Sequence, residues 1–348
     1  MKKRLKRLVT AIGTFVLAII ILIAALFPQE IRTLISLKEV SPYPFYTMTY
    51  IGDYGFDEFL QEGAASDKDI ERFIMKRLLR GAELELNIAT PACTAFTGKT
   101  PEGQVIFGRN FDFDYAPPLL LTTRPRNGYA SISMVNLSFA GFDKETRPLP
   151  LNTKSFVALG APYLPFDGMN ECGVTIALLA VPYAEPPQKP GQITLNTTTG
   201  IRLVLDKAAT TQEAVDLLKR YNFYFSAGIE CHYLISDASG DSVLVEFMEG
   251  QVQVIRTQKP YQIASNFIQY KGLNIGEGYT EFERYDAVEK AFMDQGERLS
   301  EAQSMSLLSQ IKIPDRTQWS AVYNLTEKTV DICIGMDYDK VHTFTLKP

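Results

Sequence analysis

Residues 107–115 read FGRNFDFDY, and the reading of this stretch decides the rest. The GQVIF that leads into it is ordinary β-strand material, and the aromatics at 107, 111, 113 and 115 continue a period-2 alternation. Yet Arg109, Asn110, Asp112 and Asp114 stand in the same nine residues. Charges in half-buried strands ordinarily face water, so a solvated strand edge is one reading. The wall of a chemical site is the other, and the remainder of the chain has to choose between them.

The chain has 348 residues, 46% hydrophobic and 22% charged, enough to bury a large core in one big domain or two modest ones. Its first seven residues, MKKRLKR, hold five basic side chains, and Leu8 to Phe27 is a run of 20 residues without a charge. That length spans a bilayer's hydrocarbon core as one helix, and the basic flank places the N-terminus in the cytoplasm. A cleaved signal peptide is the rival reading. Its apolar region is normally only about 7–15 residues, so an uncleaved single-pass anchor with the body of the chain outside the cell membrane is expected. Beyond the anchor, 30 Lys and Arg stand against 40 Asp and Glu, a balance of −10 on residues 28–348. Such acidity excludes nucleic acid and anionic lipid surfaces as partners. The cysteines at 93, 172, 231 and 333 are too sparse and scattered for a disulfide framework or a zinc site, and no cofactor is called for. The two histidines, His232 and His342, lie in the strand-like CHYLIS and KVHTFTL.

Organisation follows from periodicity. Residues 28–65 show little of it. Ser66 with Asp69 opens a helix whose apolar stripe is Ile70, Phe73, Ile74 and Leu78, with Gly81 at its end. Strands are expected at 104–108, 130–137, 155–160 and 173–181, then helices near 199–209 and 211–221, the second opened by Thr210 with Glu213. A meander comes next, HYLIS, SVLVEF, VQVI and YQIAS, with turns at DASGD and MEGQ. Helices at 281–294 and 300–311 and strands around 319–325 and 329–334 complete the chain. Long antiparallel runs with helices grouped between them predict an α+β architecture.

Three residues stand apart chemically. Cys93, in TPACTAF, follows a loop marked by Pro91 and precedes the 107–115 strand by a dozen residues, so a hairpin can bring its thiol to Arg109 and Asp112. A cation beside a thiol favours the nucleophilic thiolate. The other three cysteines read as small buried hydrophobes. Arg284 falls on the apolar stripe of its helix with Ala287, Val288, Ala291 and Phe292, so it points inward, either as a buried ion pair or as a site residue. Asn266, in SNF at a strand end, serves either a turn or an oxyanion.

The ordered set Cys93-Thr94, Gly108-Arg109-Asn110-Phe111-Asp112, Asp167-Gly168-Met169-Asn170-Glu171, HYLISDASGDSVLVEF, Asn266 and Arg284 resembles the choloylglycine hydrolase and penicillin V acylase family. These are linear-amide C–N hydrolases of the N-terminal-nucleophile superfamily, which also includes acid ceramidase-like enzymes. The resemblance implies a four-layer αββα sandwich and a catalytic N-terminal cysteine at position 93. It makes Arg109 and Asp112 neighbours of that cysteine, Asn266 an oxyanion donor and Arg284 a second cation. Two departures are visible. Bile-salt hydrolases of the family carry an asparagine where ungapped alignment places Ala180. Their nucleophile also follows the initiator methionine, whereas 92 residues precede Cys93. The expected organisation is therefore an anchor or signal at 1–27, a propeptide or lid at 28–92, and an amidohydrolase domain at 93–348.

The chemistry is consistent without the resemblance. Cutting the peptide bond before Cys93 frees an α-amine whose reference pKa of about 7.7–8.0 suits a general base. One residue then supplies nucleophile and base, and no histidine is needed. Asp112 is expected to orient the amine, and Arg109 and Arg284 to lower the thiol pKa or hold substrate charge. Because positions 109 and 112 face opposite sides of an ideal strand, a bend or bulge is expected between them. The apolar PPLLL at 117–121 reads as core or as the lining of an acyl pocket. A small N-acyl amide is the expected partner, self-association is left open, and two further readings remain: a Cys–His hydrolase using Cys231-His232 or His342, and a non-catalytic surface protein on the same scaffold.

Overall fold

The computed structural model describes residues 2–41, 43–81, 84, 86, 92–150, 152–276 and 280–347. The chain begins with helices α1 (Lys2–Leu26) and α2 (Pro28–Ile35), strands β1 (Lys38–Ser41) and β2 (Phe45–Thr49), and helices α3 (Phe56–Glu62) and α4 (Asp67–Arg77). As expected, the hydroxyl of Ser66 accepts from the Asp69 N–H to start α4, and Ile70, Phe73 and Ile74 are buried. Among the described residues no helix is long and apolar enough to cross a membrane. The anchor expected at 8–27 includes positions whose side chains lie outside that description.

Two sheets carry the body. The first has nine strands in the order β1, β2, β5 (Pro118–Thr123), β6 (Ser131–Asn136), β7 (Pro165–Asn170), β8 (Thr175–Ala180), β11 (Cys231–Ser236), β12 (Ser242–Met248) and β13 (Gln251–Ile255). The second has six, in the order β14 (Gln262–Ala264), β3 (Ala92–Lys99), β4 (Val105–Asp112), β17 (Thr317–Asn324), β18 (Thr329–Ile334) and β19 (Val341–Thr345). Short pairs β9 (Thr194–Asn196) with β10 (Asn222–Tyr224), and β15 (Phe267–Ile268) with β16 (Ile275–Gly276), lie outside them.

Strand β3 packs across onto β8 and β11, so the two sheets meet face to face over an apolar core. Helices α5 (Thr197–Lys207) and α6 (Thr211–Leu218) cover the first sheet, and α7 (Thr280–Asp294) and α8 (Glu301–Gln310) cover the second. Val288, Phe292 and Leu308 fill the latter layer against Phe96, Ile106 and Val322. The layers run helix, sheet, sheet, helix, and the α+β expectation holds.

Three local expectations do not. Residues 155–160 belong to a 3₁₀ stretch, Thr153–Tyr163, instead of a strand; a short apolar run is ambiguous between the two, and Asn152 caps it by accepting from the Lys154 N–H. YQIAS does not extend the meander, because the chain crosses at 256–261 and β14 pairs with β3 in the other sheet. Residues 28–65, which lack periodicity, nevertheless supply an edge of the nine-stranded sheet. There β2 runs parallel to β5, Tyr46 opposite Leu119 and Met48 opposite Leu121, so the run at 117–121 is core strand.

The N-terminal segment is knitted in further by polar and aromatic contacts. The buried Tyr54 hydroxyl donates to Asp206 Oδ2 at 2.7 Å, and Asp206 also pairs with the buried Arg202. Phe59 packs edge-on against Phe73 and Tyr163, with ring centroids 5.1 and 5.3 Å away. Without residues 28–92 the flank of β5 and the ring of Tyr163 face water, and Asp206 loses a donor. A chain of 93–348 expressed alone is therefore expected to show no cooperative thermal transition, whereas the full chain shows one; circular dichroism melts of the two decide it.

Candidate functional site

The site grows from one antiparallel pairing. In β3 against β4, Ala92 stands opposite Asp112, Cys93 opposite Phe111, Thr94 opposite Asn110 and Ala95 opposite Arg109. Alternation then sends Cys93, Arg109 and Phe111 toward the nine-stranded sheet, and Thr94, Asn110 and Asp112 toward α7 and α8. Contacts agree: Arg109 reaches Phe166 and Asp167 on β7, while Asn110 reaches the Leu308 carbonyl on α8. Gly108 is required where it stands, because a Cβ there would come within 2.4 Å of the Phe96 ring.

On the inner face, Arg109 Nη2 donates to Cys93 Sγ at 2.9 Å. Its Nη1 donates to Asp167 Oδ2 at 2.5 Å and to the Phe166 carbonyl at 2.8 Å. Asp167 accepts two more hydrogen bonds, from Trp319 Nε1 at 3.2 Å and from the Tyr323 hydroxyl. All of these side chains are buried, and the guanidinium carbon lies 5.1 Å from the centre of the Phe111 ring. Burial pushes the Cys93 thiol above its ordinary range, and Arg109 pulls it back.

On the outer face, Arg284 Nη1 donates to Asp112 Oδ2 at 2.6 Å, and the Thr317 hydroxyl donates to Asp112 Oδ1 at 2.5 Å. Arg284 Nη2 donates to Asn266 Oδ1 at 2.9 Å, and the main-chain N–H of Cys93 donates to the same oxygen at 2.8 Å. Two donors converging there fix the amide's orientation, so its nitrogen donates to the Ala180 carbonyl at 2.7 Å. Cys93 is thus held at its sulfur by Arg109 and at its nitrogen by Asn266.

All five expected site residues, Cys93, Arg109, Asp112, Asn266 and Arg284, come together. Three details differ from expectation. The pairing of β4 with β3 is regular, so there is no bend between 109 and 112; these residues flank Cys93 from opposite faces. The irregularity sits across the sheet in β17, between Thr317 and Trp319. That bulge turns Thr317 toward Asp112 and Trp319 toward Asp167, and Gln318 fills it by donating to the Phe113 carbonyl at 2.8 Å. Asn266 also accepts from the Cys93 N–H, a contact that was not expected, while one N–H of its amide goes to the Ala180 carbonyl. Asp112 reaches Cys93 only through Arg284 and Asn266.

A cleft of about 490 Å³ opens on Ala92, lined by Ala180, Val181, Asn266, Glu281 and Arg316. The residues before Ala92, 87–91, lie outside the described residues, and so do residues 277–279. The Cys–His reading finds no support. His232 Nδ1 bonds Glu246 at 3.0 Å, and His342 packs on Phe45 with centroids 5.5 Å apart. All four cysteines are free.

Sequence reasoning passed over Asp167, although it stood in a quoted motif; the available signal was a single carboxylate inside an otherwise uncharged strand, PFDGMN. Asp167→Asn leaves Arg109 buried without its counter-charge, and unfolding free energy is expected to fall by about 3–5 kcal/mol in denaturant titration. Asp114→Asn, which removes a solvent-exposed partner of Arg316, is expected to leave it unchanged.

Comparisons with known proteins give a family and a fold. A family model described as linear amide C–N hydrolases, choloylglycine hydrolase family, matches residues 93–307. A penicillin V acylase from Pectobacterium atrosepticum is 34% identical over 114 residues, a match that covers 29% of this chain and 29% of that protein. The chain thus spans less than a third of the length of that curated relative. Among solved structures, a mutant of the conjugated bile acid hydrolase from Clostridium perfringens is similar in fold, with a TM-score of 0.50 and 16% identity over 73% of this chain and 92% of that one. A penicillin V acylase from Agrobacterium tumefaciens gives a TM-score of 0.47 with 18% identity, over 70% and 83%.

Proposed function

We propose that this chain, which belongs to the linear amide C–N hydrolases of the choloylglycine hydrolase family, hydrolyses an N-acyl amide with Cys93 as an N-terminal nucleophile freed by self-cleavage. The observation that carries the reading is the double hold on Cys93: Arg109 on its sulfur at 2.9 Å and Asn266 on its nitrogen at 2.8 Å. A structural cysteine needs neither contact. A nucleophile whose own amine is the base needs both.

In the uncut chain the Cys93 nitrogen is an amide and has no basic lone pair, so the bond to Ala92 must be cut first. The freed α-amine, held by Asn266 Oδ1, takes the thiol proton, and the thiolate, stabilised by Arg109, attacks the substrate carbonyl. Asn266 has a second amide N–H beyond the one given to Ala180, and this is the oxyanion donor of the reading. Collapse of the tetrahedral species passes the ammonium proton to the leaving amine and leaves a thioester on Cys93. Water, deprotonated by the same amine, then releases the carboxylic acid. Arg284 and Asp112 act by holding Asn266, while Asp167 holds Arg109. Residues 8–27 remain the basis for placing the enzyme at the cell membrane with its body outside; that part rests on the charge-free run and basic flank alone.

Self-cleavage is tested by intact mass and N-terminal sequencing. The wild type should yield a piece beginning at Cys93, and Cys93→Ala should stay intact and inactive. Screening N-acyl amino acids, penicillin V and bile conjugates then gives the substrate. Hydrolysis by a chain still joined at Ala92–Cys93 overturns the mechanism, and a joined chain inert to every amide favours a non-catalytic surface protein.

Arg284 has two roles in this reading. It is both a buried ion pair and a support of the site, so Arg284→Ala strands Asp112 and destabilises the fold. Arg284→Lys keeps the charge but cannot reach Asp112 and Asn266 together. It is expected to lower kcat at least 10-fold while keeping a cooperative melt; assays run well below the melting temperature separate the two effects.

A further inference from the structure

The mechanism above leaves one buried polar cluster unused. Glu246, on β12 of the nine-stranded sheet, is buried, and its carboxylate collects three N–H donors. The main-chain N–H of Gln269 donates to Oε1 at 2.9 Å, that of Tyr270 to Oε2 at 2.9 Å, and His232 Nδ1 lies 3.0 Å from Oε1. Among the described residues His232 Nε2 has no partner, so the polar business of this buried ring is with Glu246 alone. A carboxylate out of water is unfavourable unless donors converge on it, and here they come from a particular place. Gln269 and Tyr270 follow β15, which follows Asn266.

Asn266 therefore rides on a short span clamped at both ends. Upstream, Ala264 pairs with Ala95 in the six-stranded sheet. Downstream, Glu246 grips the backbone from the other sheet, and Gln269 Nε2 closes the neck by donating to the Ile263 carbonyl at 3.0 Å. The amide oxygen of Asn266 has to stay within hydrogen-bond reach of both the Cys93 nitrogen and Arg284, and only four residues separate the two clamps. We infer that Glu246, oriented by His232, is a positioning residue: it fixes the span 265–268 so that Asn266 Oδ1 meets the nitrogen of Cys93. This rests on the amidase reading and adds two residues to it, neither of which touches substrate.

The test uses the full chain. Glu246→Gln replaces one acceptor oxygen by an N–H-bearing nitrogen facing a backbone N–H, so one grip on the loop is lost. Misplacement of a reacting group by about 1 Å costs on the order of 100-fold in rate, and kcat is expected to fall about 10- to 100-fold with KM within about 3-fold of wild type. His232→Asn, whose amide can donate where Nδ1 stands, is expected to retain most of the activity that His232→Phe loses. Two readouts separate positioning from mere stability. In a double-mutant cycle, Glu246→Gln should add little to Asn266→Ala if the first acts through the second. In uncut full-length protein carrying Cys93→Ala, Glu246→Gln should speed amide hydrogen exchange at residue 93 and at 266–270 and leave β17 unchanged.

A lowered melting temperature with kcat unaltered below it, or rate losses that multiply in the cycle, overturns the proposal. If the wild type proves inert to every amide, the functional reading falls, while the exchange experiment still decides whether Glu246 holds Asn266 against Cys93.

Discussion

A single guanidinium joins the two sheets at the point where chemistry is expected. Arg109 leaves the six-stranded sheet, crosses the interface, and is neutralised by Asp167 on the nine-stranded one. An arginine buried in an apolar interface is tolerable only if its charge is matched and its terminal donors are used, which is why Asp167, the Phe166 carbonyl and the Cys93 sulfur are all within reach of Nη1 and Nη2, while Nε has no partner among the described residues. Asp167 in turn needs Trp319 and Tyr323. The requirement propagates from residue to residue until the bulge in β17 and the aromatic stack of Phe111 on Trp319, with centroids 3.9 Å apart, both follow from it.

The second hold on Cys93 is built in a different way. Asp112, Arg284, Asn266 and the Cys93 nitrogen form a chain of hydrogen bonds running from one strand through a helix and a loop and back to the neighbouring strand. No member touches solvent appreciably. Such a chain is cooperative in the sense that each group's geometry is set by the next, and it is brittle for the same reason.

Much of this was legible before any coordinates. Cys93, Arg109, Asp112, Asn266 and Arg284 announced themselves because polar residues at apolar positions of strands and helices have to be explained, and their order along the chain pointed to one scaffold. The helices at Ser66 and Thr210 were legible because caps are local. What stayed hidden was non-local. Nothing in 45–49 says that this strand will lie parallel to 118–123, because a two-residue period specifies a strand without naming its neighbour. The position of the bulge was misplaced because alternation within β4 says nothing about slippage in the strand beside it. The hold of Asn266 on the Cys93 nitrogen was missed because an amide offers both roles, and only two donors meeting on one oxygen show that it accepts there.

The parallel pairing of β2 with β5 has a consequence for the lifetime of a cut molecule. If the chain is severed before Cys93, the segment ending at Ala92 stays woven into the sheet edge, but the covalent link that brought it there is gone. Folding of the intact chain is a first-order event; reassembly of the two pieces is second-order and, at low concentration, loses to aggregation of exposed strands. The cut protein would then refold from denaturant poorly even where the uncut one refolds well. Its persistence would be governed by the height of its unfolding barrier, so that an enzyme of this design would be long-lived by kinetics without being deep in free energy.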